Sequence, residues 1–96
     1  MDRKLSKIYD NKMQEELKTV RGIEAKMQVE TDQLKNALNA LHTMWYTDGV
    51  TKEIHRLSWE LANDSSALDN ARRNAIQYEN YKREALQDEV NEAAGM

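Results

Sequence analysis

The stretch LHTMWYTDGVTKEI, residues 41–54, decides the fold because two helical patterns meet within it. An apolar pattern that repeats at helical spacing ends at Trp45, and a second one begins at Val50. The chain contains no proline, so no such residue breaks a long helix on either side. The sequence therefore predicts two long helices joined by one short turn.

The predicted turn spans residues 46–49, and its motif consists of Trp45, Asp48 and Gly49. Asp48 is a favoured N-cap residue, and Gly49 permits a tight reversal of the chain. Trp45 is expected to end helix one and to fill the open end of the hairpin, where the apolar pattern stops. This interpretation explains the three positions without assigning them a biological role.

Upstream of the turn, steps of four and three residues trace an apolar seam that only Glu24 and Thr31 interrupt. This heptad spacing is typical of helices that pack side by side. Gly22 lies inside the pattern and is interpreted as a weak point or a close-packing position, not as a helix end. The upstream seam consists of Leu5, Tyr9, Met13, Leu17, Val20, Glu24, Met27, Thr31, Leu34, Leu38, Leu41 and Trp45.

Downstream of the turn, the same steps trace a second seam with Asp64 as its one polar member. Leu86 and Val90 either extend this seam or lie in a frayed end, because chain ends are poorly ordered unless they are tied down. The downstream seam consists of Val50, Ile54, Leu57, Leu61, Asp64, Leu68, Ala71, Ala75 and Tyr78.

Together the two seams predict an all-α fold, a long antiparallel helical hairpin that forms a single domain over residues 1–96. Helix one is expected at about residues 3–45, helix two at about residues 50–86, and an acidic C-terminal tail at residues 87–96. Two-helix hairpins of this size rarely bury enough apolar surface to be stable alone. Dimerisation is therefore expected to complete a four-helix bundle.

Composition excludes several classes of protein. The chain has no cysteine, which excludes disulfides and thiolate metal sites. Its formal net charge of −3 mixes acids and bases, and no basic stripe alternates with aromatic residues, so no nucleic-acid partner is expected. No apolar run is long enough to span a bilayer, so stable membrane insertion is not expected. The start, MDRKLSKIYDNK, lacks the apolar segment of an ordinary signal peptide.

The chain also lacks a convincing catalytic or metal-binding pattern. His42 and His55 flank the predicted turn with Glu53 nearby, but their spacing matches no zinc pattern. His55 and Ser58 lack a third triad member, and a helical hairpin provides no concave pocket. We therefore expect that the protein is not an enzyme and has no catalytic residue, no cofactor and no metal.

Trp59 is the residue that points most directly to a partner protein. It lies about 200° around the helix from Leu57, on a face that is otherwise polar. A half-covered ring is one interpretation, and a contact with a second protein is the other, since tryptophan is enriched among interface hot spots. The predicted protein interface consists of Trp59 with Leu34, Leu38, Leu41, Val50, Ile54, Leu57 and Leu61.

A helical hairpin of this length with a tryptophan and a glycine at its centre resembles the WXG-motif family of small type VII secretion proteins, relatives of the early secreted antigenic target protein. The resemblance implies pairing as homodimers or heterodimers and export without a cleaved signal peptide. It covers the whole chain as architecture. The motif itself departs from Trp-x-Gly, because Trp45 and Gly49 are separated by three residues.

Many members of that family, or their partners, also carry a C-terminal Tyr-x-x-x-Asp/Glu export signal. Here Tyr78 leads to Lys82 and Tyr81 leads to Ala85, while Glu84 lies one residue too early. The resemblance therefore implies a divergent member, or the small helical partner of a type VII effector, that depends on its partner for export. The degenerate export signal consists of Tyr78, Tyr81 and Glu84.

Two functions from different classes follow. In the first, the chain pairs with another helical hairpin or a larger effector, engages the type VII secretion machinery, and is secreted or cytoplasmic before export. In the second, it is an intracellular coiled-coil adaptor or chaperone with no role in secretion. The sequence leaves homodimer and heterodimer open, although a complex with a second helical protein is expected.

Overall fold

The computed structural model describes residues 4–43 and 48–95, and these residues form two α-helices. Helix α1 spans Leu5–Thr43, with 39 residues, and helix α2 spans Asp48–Ala94, with 47 residues. The described ranges contain no strand. The predicted all-α helical hairpin is confirmed, whereas its completion as a four-helix bundle stays a prediction.

Helix α2 is longer than the predicted span of about residues 50–86. Helix α2 begins at Asp48 instead of Val50, and it continues through the expected tail to Ala94. The carboxylate of Asp48 lies in the first turn, where the positive end of the helix dipole favours an acid. In the last turns, Gln87 Nε2 donates to Asn91 Oδ1 at 3.1 Å, an interaction that supports a helix at this spacing.

Two members of the predicted turn motif, Asp48 and Gly49, belong to helix α2. Asp48 and Gly49 are helical, and no glycine in the described part of the chain has a positive φ angle. Gly49 therefore does not use the backbone freedom that a tight reversal requires. Trp45 and residues 44–47 lie outside the described residues, so the plug at the hairpin end stays a prediction.

Contacts divide the chain into two compact units. Unit 1 combines Met1–Val20 with Asp69–Met96, and unit 2 is the continuous segment Arg21–Leu68. In each unit a part of α1 packs against a part of α2. The ion pairs Asp10–Lys82 in unit 1 and Lys26–Asp64 in unit 2 join the helices in antiparallel order.

Unit 1 has a core of small side chains beside an aromatic cluster. Three buried alanines, Ala71, Ala75 and Ala85, lie on α2. Tyr9 of α1 contacts two tyrosines of α2, with ring centroids 6.4 Å away at Tyr78 and 5.3 Å away at Tyr81. Alanines remove little apolar area from water, so the larger tyrosine rings supply much of the apolar contact between these helix segments.

A polar contact fastens the first turn of α1 to the end of α2. The backbone N–H of Ser6 donates to one oxygen of Glu89 at 3.2 Å, and the Ser6 hydroxyl donates to the other at 2.8 Å. The first backbone N–H groups of a helix have no acceptor within the helix. Glu89 of α2 therefore provides the carboxylate acceptor that a local N-cap side chain usually provides.

Between Val20 and Leu41, the inward-facing positions of α1 differ from the predicted seam at every second step. Val20 is buried and Met27 and Leu34 are half-buried, as the pattern predicts. Between these positions the helix turns Ile23, Glu30 and Ala37 inward, whereas the predicted Glu24 and Leu38 are exposed and Thr31 is half-buried. At the N-terminal end of the pattern, Leu5 is also exposed.

The inward-facing positions of α2 match the predicted seam as far as Tyr78. The heptad then continues through Lys82, Ala85 and Glu89, so Leu86 and Val90 are exposed. Of the two alternatives for Leu86 and Val90, neither describes the structure, because both residues are helical and exposed. Strict alternation of four- and three-residue steps from Tyr78 leads to Lys82, Ala85 and Glu89, although two of these three residues are charged.

Candidate functional site

Trp59 lies on the outer side of α2, as its angle from Leu57 predicts. The Leu57 side chain is fully buried, with 0% of its surface exposed, whereas Trp59 is 69% exposed. The residues that share its side of α2 are all exposed. We call this set the Trp59 surface: Lys52, His55, Trp59, Ala62, Asn63 and Ser66.

A fixed set of charges lies beside the Trp59 surface. The guanidinium of Arg56 contacts Glu53 at 2.6 Å and Glu60 at 2.9 Å, one turn to either side. The hydrogen bond from Arg56 is the main reason why the pKa of Glu53 is lowered. Both acids thus form ion pairs within α2. The indole of Trp59 is the large apolar group that stays uncovered on this side of the helix.

The other residues of the predicted interface occupy different environments. Leu57 packs inside unit 2 and leaves no surface for a partner, so its predicted interface role is wrong. Leu38 is exposed. The remaining members are half-buried and combine contacts inside unit 2 with some free surface: Leu34, Leu41, Val50, Ile54 and Leu61.

A second candidate site is a buried carboxyl cluster in unit 2. Glu30 of α1 is only 4% exposed and Asp64 of α2 is 9% exposed. The ammonium of Lys26 contacts Asp64 Oδ1 at 3.1 Å. Three carboxylate oxygens are buried without a donor, namely Oε1 and Oε2 of Glu30 and Oδ2 of Asp64. Buried polar atoms normally have hydrogen-bond partners, so this cluster needs an explanation.

A proton on one Glu30 oxygen would donate to Asp64 Oδ2 and so would partner two of these three oxygens. The side-chain hydrogen bond to Asp64, then burial, then Glu60 raise the pKa of Glu30 to about 7. The same hydrogen bond from Glu30, together with Lys26, lowers the pKa of Asp64. The raised pKa of Glu30 and the lowered pKa of Asp64 mean that a proton in this cluster favours Glu30 over Asp64, because the two carboxyl groups interact.

Glu30 was not among the predicted seam or site residues. The signal that identifies it is the alternative step order Met27, Glu30, Leu34, in which three residues precede four. The hydrophobic pattern favours the predicted order Met27, Thr31, Leu34 only weakly, since Glu24 and Thr31 interrupt the upstream seam. Asp64 was recognised as a polar member of the downstream seam, but its partner on α1 was not.

The residues of the degenerate export signal lie in unit 1. Tyr78 is half-buried against Tyr9, and the Lys12 ammonium lies 5.9 Å from its ring centroid. Gln77 Nε2 donates to the Tyr81 hydroxyl at 2.7 Å. Glu84 is exposed. Tyr78 and Tyr81 thus belong to the aromatic cluster that joins α1 to α2.

Unit 1 also contains an open groove of about 530 Å³. Leu5, Ala85 and Ala93 supply its apolar lining, and the charged side chains around it are those of Lys4, Asp88, Glu89 and Glu92. Glu89 already accepts two hydrogen bonds from Ser6. The groove holds no nucleophile paired with a base, so its residues do not form a recognisable catalytic arrangement.

Within the described ranges, no group of three or more His, Asp or Glu side chains is arranged to hold a metal ion. His42 and His55 are both exposed. Neither described helix has a stretch apolar and long enough to cross a bilayer. Comparison of the chain with protein-family models, with curated proteins and with solved structures gives no match.

Proposed function

We propose that this chain is a protein-interaction module whose helical hairpin pairs with a second helical protein. The observation that carries the proposal is Trp59, a large indole that is 69% exposed on a helix face beside paired charges. Aromatic side chains of this size remove about 150–250 Å² from water when they are covered. Tryptophan is also among the residues that contribute most to binding when an interface desolvates them.

The outer side of α2 in unit 1 supports the same proposal. Ile76, Leu86 and Val90 are exposed and recur at combinations of three- and four-residue steps, which place them along one side of the helix. Arg83 and Glu79 lie between them and form an ion pair at 3.0 Å. An apolar stripe with internally paired charges suits packing against a partner helix.

We further propose that this pairing belongs to type VII secretion, with the chain acting as the dependent partner of an effector or of a second hairpin. This finer proposal is supported by the resemblance of the layout to the WXG-motif family. It is also supported by Tyr78, which is half-buried against Tyr9 and is therefore less free to present an export signal.

One observation favours the second candidate, a coiled-coil adaptor or chaperone without a role in secretion. Gly49 is helical and does not act as a turn glycine, which removes one of the residues on which the family resemblance depends. Both candidates require a protein partner, and they differ in whether the complex leaves the cell.

Substitution of Trp59 tests the interaction proposal. We expect Trp59→Ala to leave the helix content unchanged and to weaken the complex with the native partner at least about tenfold, since hot-spot truncations commonly cost more than 1 kcal/mol. The partner is identified by affinity purification and mass spectrometry, and binding of the purified pair is then measured by calorimetry.

Val29→Ala is the matched control, because Val29 is another exposed apolar residue of unit 2, on α1. This variant is expected to bind nearly as tightly as the wild type. Equal affinities for the wild type, Trp59→Ala and Val29→Ala would show that the Trp59 surface is not the contact.

Export assays test the secretion proposal separately. We expect deletion of the identified partner to abolish export of this chain, and Glu84→Ala to leave export unchanged, because Glu84 is exposed and is not expected to act in a signal here. Export that continues without the partner would reject the dependent role. A complex that forms but is not exported from a host with an active type VII machine would favour the adaptor.

A further inference from the structure

The buried carboxyl cluster of unit 2 brings together charges from both helices. On α1, Lys26 and Glu30 lie one turn apart, and on α2, Glu60 and Asp64 do the same. Three of these four groups are acids, and one acid, Glu60, also accepts from Arg56 at 2.9 Å. The single ammonium of Lys26 contacts Asp64 and leaves the Glu30 oxygens without a donor.

This arrangement is stable only if one acid carries a proton. An ionised Glu30 would lie among buried atoms, near two other carboxylates, with no hydrogen bond to either oxygen. Burial of a charge without a partner is costly, and a second carboxylate nearby increases the cost. With a proton on Glu30, its hydroxyl donates to Asp64, and the remaining charge of the pair is balanced by Lys26.

We propose that Glu30 and Asp64 form a proton-binding site that closes the two helix segments of unit 2 against each other in mildly acidic solution and loosens them in alkaline solution. The ligand is a single proton, and the charged groups that face it are Lys26 on α1 and Glu60 and Asp64 on α2. When the proton leaves, water must reach Glu30, and access requires the two helix segments to separate at this layer.

The direction of the pH dependence follows from linkage. The pKa of Glu30 in the folded chain, about 7, is higher than the ordinary value of 4.5 that the unfolded chain has. Stability from this group is therefore complete below the ordinary value and is lost as the pH rises through about 7. Most surface carboxylates give the opposite trend, because their pairing lowers the pKa, so the cluster is distinguishable from them.

Thermal unfolding of the full chain, followed by circular dichroism at about pH 5.5 and about pH 8.5, tests the proposal. We expect the wild type to have the higher midpoint at the lower pH. Glu30→Gln supplies a neutral amide that donates to Asp64 at both pH values. We therefore expect this variant to have a higher thermal midpoint than the wild type in alkaline solution, so that its midpoints at the two pH values no longer differ. Both histidines remain in every variant, so their contribution cancels in the comparison.

Two further variants make the comparison specific. Glu84→Gln removes an exposed acid of unit 1 and should keep the wild-type difference. Asp64→Asn provides an amide that donates to ionised Glu30, so the difference should shrink. An unchanged pH difference in Glu30→Gln would overturn the proposal.

Carbon NMR of the wild type provides a test that does not depend on the folding of any variant. The side-chain carboxyl carbon of Glu30 should titrate near neutral pH, well above the ordinary glutamate value of 4.5. A Glu30 carbon that titrates at the ordinary glutamate value of 4.5 would show that the cluster does not hold a proton near neutrality and would reject the inference.

Discussion

At the scale of single residues, Leu57 and Trp59 show how much two positions on one helix can differ. Leu57 is the one large side chain in the described part of the molecule that is completely enclosed, and Trp59 is largely in solvent. A rotation of about 200° separates them. Both side chains are large and mainly apolar, so their different exposure comes from their positions on the helix.

Leu57→Ala is expected to lower the free energy of unfolding by about 2–5 kcal/mol, because it removes buried methyl groups and leaves a cavity in unit 2. Urea denaturation of the isolated chain measures the change. Trp59→Ala is the control and should change the same quantity by no more than about 0.5 kcal/mol, as is usual for exposed positions. Comparable losses in the two variants would contradict the assignment of Leu57 as core and Trp59 as surface.

At the scale of helices, the sequence predicts element type well and register less well. Two long helices follow from the absence of proline and from heptad spacing, and both are present. On α1 the neighbouring positions disagree from layer to layer: Ile23 beside Glu24 favours the observed order, whereas Ala37 beside Leu38 offers an apolar residue in both. Hydrophobic pattern cannot choose between such orders, since the choice depends on what α2 presents at each layer.

The buried carboxyl cluster was not predictable for the same reason. A glutamate at an inward position contradicts the usual hydrophobic signal, and its burial makes sense only with Asp64 opposite it. Trp59 was predictable, because its exposure depends only on the angle from Leu57 within one helix. The exposure of Trp59 could thus be read from one helix, whereas the pairing of Glu30 with Asp64 could not.

Replacement of glycine tests the helical assignment of Gly22 and Gly49. A Cβ atom at either position would meet nothing within 4 Å, and neither residue has a positive φ angle. Gly22→Ala is therefore expected to raise the free energy of unfolding by about 0.5–1 kcal/mol, through the lower entropy of the unfolded chain and better helix propensity. Gly49→Ala should act in the same direction.

Gly95→Ala is the matched control, because its Cβ would lie 3.2 Å from the carbonyl oxygen of Asn91. It is expected to give no gain. Chemical denaturation measures all three variants. A loss of stability in Gly49→Ala would restore the interpretation of Gly49 as a turn residue, and a loss in Gly22→Ala would indicate the close packing that its sequence position also allowed.

At the scale of the whole molecule, the apolar core is small. The buried apolar residues of the described ranges include three alanines, and the others are Val20, Leu57 and Leu68. Polar contacts between the helices, from Lys26 to Asp64 and from Lys82 to Asp10, contribute little where they are open to water. A core of this composition agrees with a chain that gains much of its stability from a partner.

We expect the thermal midpoint of the isolated chain to be independent of its concentration and to rise when the purified partner is added. A ligand that binds only the folded chain stabilises it by about 2.7 kcal/mol at one hundred times the dissociation constant. Differential scanning calorimetry with and without the partner measures the shift. A midpoint that rises with the concentration of the chain alone would instead identify a homodimer.

The contact between Ser6 and Glu89 has a consequence for the order of folding. It joins residues 83 apart, whereas the Lys26–Asp64 contact joins residues 38 apart. Closing the longer loop directly costs about 0.7 kcal/mol more in chain entropy. Folding should therefore begin in unit 2, and the contacts nearer the two chain ends should form later.

Substitutions at Leu57 should slow refolding, whereas substitutions at Ala85 should mainly accelerate unfolding, and stopped-flow kinetics measures both rates.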